Sequence, residues 1–321
     1  MNKNTGALFG LIMVFCYNFL DAGKEVYSGY LVQSAHPMQV TFIIFSTVLI
    51  FFQIYCYVRM KQSYAAPLGN LKVVFLLNIT TAGSWITFFY CLKYLEPAVA
   101  AAIITGVAPV LMVFISPLFF STDRRQYRLL LLLGIAASSL WLSFISLREG
   151  DLVYNLTAEE VITGILLCVA CAFFSIFSNV FSKRLSEEAC PPEAIMAHRF
   201  YLTVLLTCAW SMQLPGGEHL EVQMFPGVLI LALLGVIIPL WCLQYGIKAL
   251  PPSQIMVLIS VSPVFTFAFQ LFDPRLSPSA SSFVAIMLIC FFSLAAEVWR
   301  IQYKERVIEN GYHGLPEDRG R

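Results

Sequence analysis

Ten stretches of roughly 20 predominantly apolar residues follow one another along this chain of 321 residues. As a helix, each is long enough to cross the hydrocarbon core of a bilayer. They run over 6–26, 37–59, 71–93, 97–120, 126–147, 161–184, 193–213, 225–247, 252–272 and 279–300. A backbone in lipid must satisfy its own hydrogen bonds, so successive spans of this length predict an all-α integral membrane protein. Composition agrees: 12% of residues are charged, against about 25% in soluble domains. That excludes soluble enzymes, disordered chains and, at a net charge of +1, nucleic-acid binders. The nine cysteines, all but Cys190 within apolar runs, read as small buried hydrophobes and not as a disulfide framework.

Lys and Arg set the orientation. With the N-terminus in the cytoplasm, 16 of the 20 basic residues fall inside; only Lys24, Lys93, Arg148 and Arg275 fall outside. The split predicts an even number of spans, with both termini inside. The N-terminal run lacks a small-x-small cleavage site and continues into Asp21, Lys24 and Glu25, so it reads as a span and not a signal peptide. Residues 301–321 read as a polar cytoplasmic tail.

The two halves resemble each other. Tyr90-Cys-Leu-Lys93-Tyr-Leu-Glu-Pro97 matches Tyr245-Gly-Ile-Lys248-Ala-Leu-Pro-Pro252, and Ala108-Pro109-Val110 matches Ser262-Pro263-Val264. Pro37 corresponds to Pro192, and Lys24 roughly to Lys183. Five spans per half force opposite insertion, so 1–148 and 149–300 are expected to be inverted five-helix repeats. Such repeats point to a secondary transporter with its site near the bilayer midplane.

These features resemble the drug/metabolite transporter superfamily, in particular its ten-helix EamA type: aromatic and polar residues leading to Lys24, Lys93 followed by Pro97 and Pro109, His198-Arg199-Phe200, and Lys248 with Pro252 and Pro263. Two positions depart from the pattern. Ile44 stands where the second span usually has Arg, and Ser121-Thr-Asp-Arg-Arg125 stands where a Gly-Glu pair usually follows the fourth span. The resemblance implies transport of small organic metabolites, commonly outward, by alternating access.

Charge inside a span is costly and usually faces the bundle interior. Asp21, Lys24 and Glu25 share one helix face with Asn18, beside Tyr17. They are candidate substrate or proton groups; the competing reading is a self-neutralising cap at the lipid headgroups. Arg199, six residues into the seventh span, could clamp a carboxylate or phosphate or snorkel to the headgroups. His198 is a further proton-coupling candidate beside Asp21 and Glu25. Asn78, Trp85, Asn179, Trp241 and Gln244 are candidate solute contacts. Ser175, Ser178, Ser260 and Ser262 are assigned chiefly to packing, and Glu297 with Arg300 to an interfacial anchor. Pro109 and Pro263 each remove a backbone donor in mid-span and free the carbonyl four residues back, which makes them candidate hinges.

Neither a metal site nor a bound cofactor is expected. The expected partners are a small-molecule substrate and the lipid bilayer, with no nucleic acid, in a monomer or homodimer. The expected location is a bacterial cytoplasmic membrane, and the solute a zwitterionic or amphipathic, amino-acid-derived metabolite that is exported. The alternatives are an uptake or exchange carrier for S-adenosylmethionine or a nucleotide-type solute, and, in another class, a membrane receptor, scaffold or enzyme. The mid-span proline pair and the repeat speak against that last class.

Overall fold

The computed structural model describes residues 3–119, 126–153, 156–214, 220–259, 261–276 and 279–295. The segment Ser121–Arg125, the Glu297/Arg300 pair and the tail 301–321 lie outside the described residues, as does the side chain of Pro109. Among the described residues there is no strand. The α-helices are α1 (Lys3–Ser34), α2 (Pro37–Arg59), α3 (Lys61–Tyr64), α4 (Leu71–Tyr94), α5 (Pro97–Phe119), α6 (Gln126–Val153) and α7 (Ala158–Glu187). They continue with α8 (Pro192–His198), α9 (Tyr201–Ser211), α10 (Phe225–Ile230), α11 (Ile238–Ala249), α12 (Pro252–Ile259), α13 (Ser262–Gln270) and α14 (Ala280–Ala295). Among the described residues, five helical stretches are long and apolar enough to cross a membrane, and 97–108, 133–145 and 280–295 add shorter apolar helices.

Helix starts follow from local chemistry. Pro37 opens α2 while His36 Nδ1 accepts from the Met38 amide at 3.2 Å. Asn70 caps α4 by accepting from the Val73 amide. Thr157 and Glu160 form a reciprocal capping box at the start of α7. Such caps satisfy amides that a helix cannot satisfy itself.

Three expected spans differ from the sequence reading. The first was expected to end near residue 26, where the charges gather, yet α1 runs on to Ser34. At about 1.5 Å per residue, this places Asp21, Lys24 and Glu25 well inside the helix. The seventh span is broken at Arg199 and Phe200, between α8 and α9. The ninth is broken between α12 and α13. Between α10 and α11 the backbone widens into a π-helical segment, Leu231–Ile237. Pro239 follows; it has no N–H, and its ring collides with the carbonyl four residues back, which the wider turns relieve.

The bundle has two ends. At one, Asn70 donates to Glu188 and Lys183 to the Lys248 carbonyl. At the other, Arg275 donates to Gln33 and stacks over Tyr30. Between them α4 packs along α7, and α1 along α11; α5 packs on α7, and α13 on α1; α2 packs on α9, and α5 on α13. Close approach needs small residues: Gly83 lies under the Phe174 ring and Gly246 against Val14. Fully buried Phe45, Phe52, Phe89 and Phe200 fill the core.

Candidate functional site

The charged face of α1 opens onto a central cavity of about 110 Å³. Tyr17, Asp21, Lys24 and Glu25 line it from α1, Ser84, Trp85 and Phe88 from α4, Ser178 and Asn179 from α7, and Arg199 from the α8–α9 break. The two charged patches, far apart in sequence, therefore share one site.

Each charge in the cavity has a different environment. Lys24 donates to Asp21 Oδ1 at 2.6 Å, and its ammonium sits 4.7 Å from the Trp85 ring centre and 4.6 Å from that of Phe88. The pair is buried, so it does not cap α1 at the headgroups. Desolvation of the ammonium is offset by the carboxylate and the negative ring faces. Tyr17 and Glu25 line the same cavity as Asp21. Thr266 of α13 donates to Glu25 Oε2 at 2.6 Å.

Arg199 is only 5% exposed, so it does not snorkel. It donates to Ser178 Oγ at 2.7 Å, and at 3.4 Å to Thr81 Oγ1 and Gln244 Oε1. Every one of these acceptors is neutral. Among the described residues no carboxylate lies within ion-pair distance of Arg199. The Gln244 amide nitrogen beside it is buried without an acceptor. A guanidinium and an amide left in this state form a site complementary to an anion.

Other expected contacts serve the backbone or the packing. Asn18 donates to the Leu258 carbonyl at 2.8 Å. That carbonyl, one residue before the expected Ile259, also accepts from the Val261 amide, at 3.4 Å. Asn78 donates to the His198 carbonyl at 2.7 Å and accepts from the Leu202 amide, bridging the α8–α9 break. Trp241 lies outside the cavity, and both it and Tyr245 donate to Glu193, at 3.0 and 2.7 Å. His198 also lies outside the cavity. It sits in a ring of hydrogen bonds with Tyr201 and the Tyr64 carbonyl, at 2.8 Å each, continued by Gln53. Pro109 lies within an unbroken α5, whereas Pro263 stands in the first turn of α13.

The sequence reading missed Thr266 and Gln270 altogether. The Gln270 side chain donates to Glu96 at 2.6 Å and accepts from the Ala98 amide at 2.9 Å, capping α5 from α13. Ser178 and Thr81, mid-span residues read chiefly as packing, hold the guanidinium. No local motif marks any of the four; the only signal is pairing between distant helices.

Residues 162–296 match the model of the EamA-like transporter family. The chain is therefore similar, over this part, to EamA-type transporters. It is a multi-pass membrane protein, and the family's activity is transport of small solutes. A solved crystal structure is similar to this chain with a TM-score of 0.65 at 19% identity, over 92% of this chain and 98% of the other, a likeness in fold. No curated protein matches the chain.

Proposed function

We propose that the protein is a secondary transporter that exports a small zwitterionic or amphipathic, amino-acid-derived metabolite. It works by alternating access of two inverted five-helix halves, 1–148 and 149–300, in a ten-span bundle with both termini in the cytoplasm of a bacterial cell. The observation that carries this reading is the meeting of Asp21, Lys24 and Glu25 with Arg199 around one cavity. The α1 side holds two carboxyls against one ammonium, and the far side holds an unpaired guanidinium. A solute with an ammonium and a carboxylate complements both sides at once. Trp85 and Tyr17 supply apolar walls.

The helix packing supports two inverted halves. Exchanging first-half spans with their second-half counterparts turns the α4–α7 contact into α11–α1, and α5–α7 into α13–α1. The α2–α9 and α5–α13 contacts map onto themselves. The breaks beside Arg199 and ahead of Pro263 give alternating access its hinges; Pro109, inside a continuous helix, is a weaker hinge. Proton coupling falls to the Asp21–Glu25 pair and not to His198, which lies outside the cavity. Uptake or exchange of a nucleotide-type solute is the second reading, favoured by the anion-binding surroundings of Arg199.

The test is transport of radiolabelled amino acids, their derivatives and nucleotides by purified protein in proteoliposomes, with outward gradients and in counterflow. Glu25→Gln and Arg199→Gln are each expected to lower transport more than tenfold, with Arg199→Lys failing to rescue because a point charge cannot replace the planar fork. Wild-type binding and transport in all three variants would make both patches structural.

A further inference from the structure

The central cavity has a neighbour on the lipid-facing side of the bundle. A groove of about 340 Å³ runs between α1, the π-helical segment and α13, lined among others by Phe19, Gly23, Tyr27, Leu234, Gly235 and Phe269. Phe19 and Leu234 are about half exposed, at 49% and 58%, so the groove faces the bilayer. A second depression of about 340 Å³ shares Gly23, Tyr27 and Phe269 with it and ends at Asp273 and Arg275 on the bundle rim. From the level of Tyr30 to that of Phe19 the two together follow α1 for about 16 Å.

Lys24 lines both the groove and the central cavity. Its ammonium lies in the cavity with Asp21, and its stem lies in the groove. Gly235 faces that stem: a Cβ there would stand 3.2 Å from Lys24 Cβ and 3.3 Å from Cγ. Next to Gly235, the Lys24 stem therefore stands between cavity and groove. The π-helical turns around Gly235 give this wall a backbone that is not a regular α-helix. The volumes also differ in kind. The cavity is small and charged, with room for a head of a few atoms; the groove is about three times larger and apolar.

We infer that the groove takes the hydrocarbon arm of an amphiphilic solute whose zwitterionic head lies in the central cavity, the arm passing beside the Lys24 stem. This rests on the cavity being the solute site. It names the solute class more narrowly, as α-amino acids or similar zwitterions carrying an unbranched apolar chain. The occupant is part of the solute and not a boundary lipid, because the residue that lines the groove, Lys24, also lines a charged cavity that a lipid tail alone would not use.

The experiment uses α-amino acids with straight alkyl side chains, from 2-aminobutyric to 2-aminododecanoic acid, and a 2-aminododecanoic acid carrying a diazirine on its chain. Binding to the full-length protein in nanodiscs is expected to tighten roughly fourfold per CH2 buried. Photolabelling is expected within 19–27 and 227–235 and to be displaced by unlabelled 2-aminododecanoic acid. Gly23→Leu fills the groove. It fits, because a Cβ at Gly23 meets nothing closer than a Phe269 ring carbon at 3.8 Å. It is expected to abolish the chain-length gain and the groove labelling while leaving 2-aminobutyric acid binding as in wild type. Chain-length dependence that persists in Gly23→Leu overturns the inference. So does labelling spread over all lipid-facing helices, or equal groove labelling by a phospholipid with the same diazirine chain. Binding of 2-aminobutyric acid that is lost in Arg199→Gln, without groove labelling by the long probe, overturns this inference alone. Failure of every zwitterion to bind overturns the cavity reading as well.

Discussion

Asn18 donates its side-chain amide to the carbonyl of Leu258, 240 positions further along the chain, at 2.8 Å. The same carbonyl also accepts from the Val261 amide, at a longer 3.4 Å, in the turn ahead of Pro263. Asn18→Leu removes the shorter of these two bonds, at a cost of about 0.5–1.5 kcal/mol. Thermal unfolding of the detergent-solubilised variant is expected at a lower midpoint than wild type. An unchanged midpoint with weakened solute binding would instead make Asn18 a solute contact.

Asp21 and Lys24 form a pair that is almost wholly removed from solvent. Breaking such a pair from one side strands a buried charge and costs about 3–5 kcal/mol, whereas removing both partners costs far less. Lys24→Met and Asp21→Asn are each expected to be poorly stable, and the double variant to recover much of the loss. A double-mutant cycle on unfolding midpoints measures the coupling. Additive effects would mean that the Trp85 and Phe88 rings, and not Asp21, hold the ammonium.

Asn78 binds three backbone groups: the Val74 and His198 carbonyls and the Leu202 amide. Two of these belong to the break that presents Arg199. Asn78→Leu is therefore expected to lower stability by roughly 2 kcal/mol or more and to weaken solute binding only through Arg199. In practice, Asn78→Leu should add little to the binding defect of Arg199→Gln. A full additional loss in the double variant would place Asn78 on the solute itself.

What could be read from one sequence has a physical boundary. Asp21, Lys24, Glu25 and Arg199 stood out because ionised groups are rare and costly in apolar runs, and all four line the cavity. Their meeting could not be read, because no local pattern says that α1 faces the α8–α9 break. Asn18, Asn78 and Trp241 were legible as polar or amphipathic groups in mid-span. Their partners, two backbone sites and Glu193, were not, because a polar side chain in a span serves a solute or a neighbouring helix equally well. The broken seventh span has no proline at the break itself. Asn78 on another helix makes the break tolerable, so hydropathy shows one continuous run. The end of α1 was placed too early for a related reason: a charge cluster resembles an interface until its counter-charges are seen.

Glycines at the helix crossings give a contrast that separates packing from chemistry. A Cβ at Gly83 would lie 2.6 Å from the Phe174 ring, and one at Gly246 would lie 2.5 Å from a Val14 methyl, whereas one at Gly69 meets nothing within 4 Å. The first two sit on the α4–α7 and α1–α11 seams, the pair of contacts that exchanges between the halves. Overpacking a seam costs about 1–3 kcal/mol. Gly83→Ala and Gly246→Ala are expected to lower the unfolding midpoint by similar amounts and Gly69→Ala to leave it unchanged. If the halves rock against each other along these seams, the first two variants also slow solute exchange beyond what their stability loss explains. Counterflow rates measured well below each variant's midpoint check this. Normal counterflow in both would place the moving surfaces elsewhere, at the α2–α9 and α5–α13 contacts.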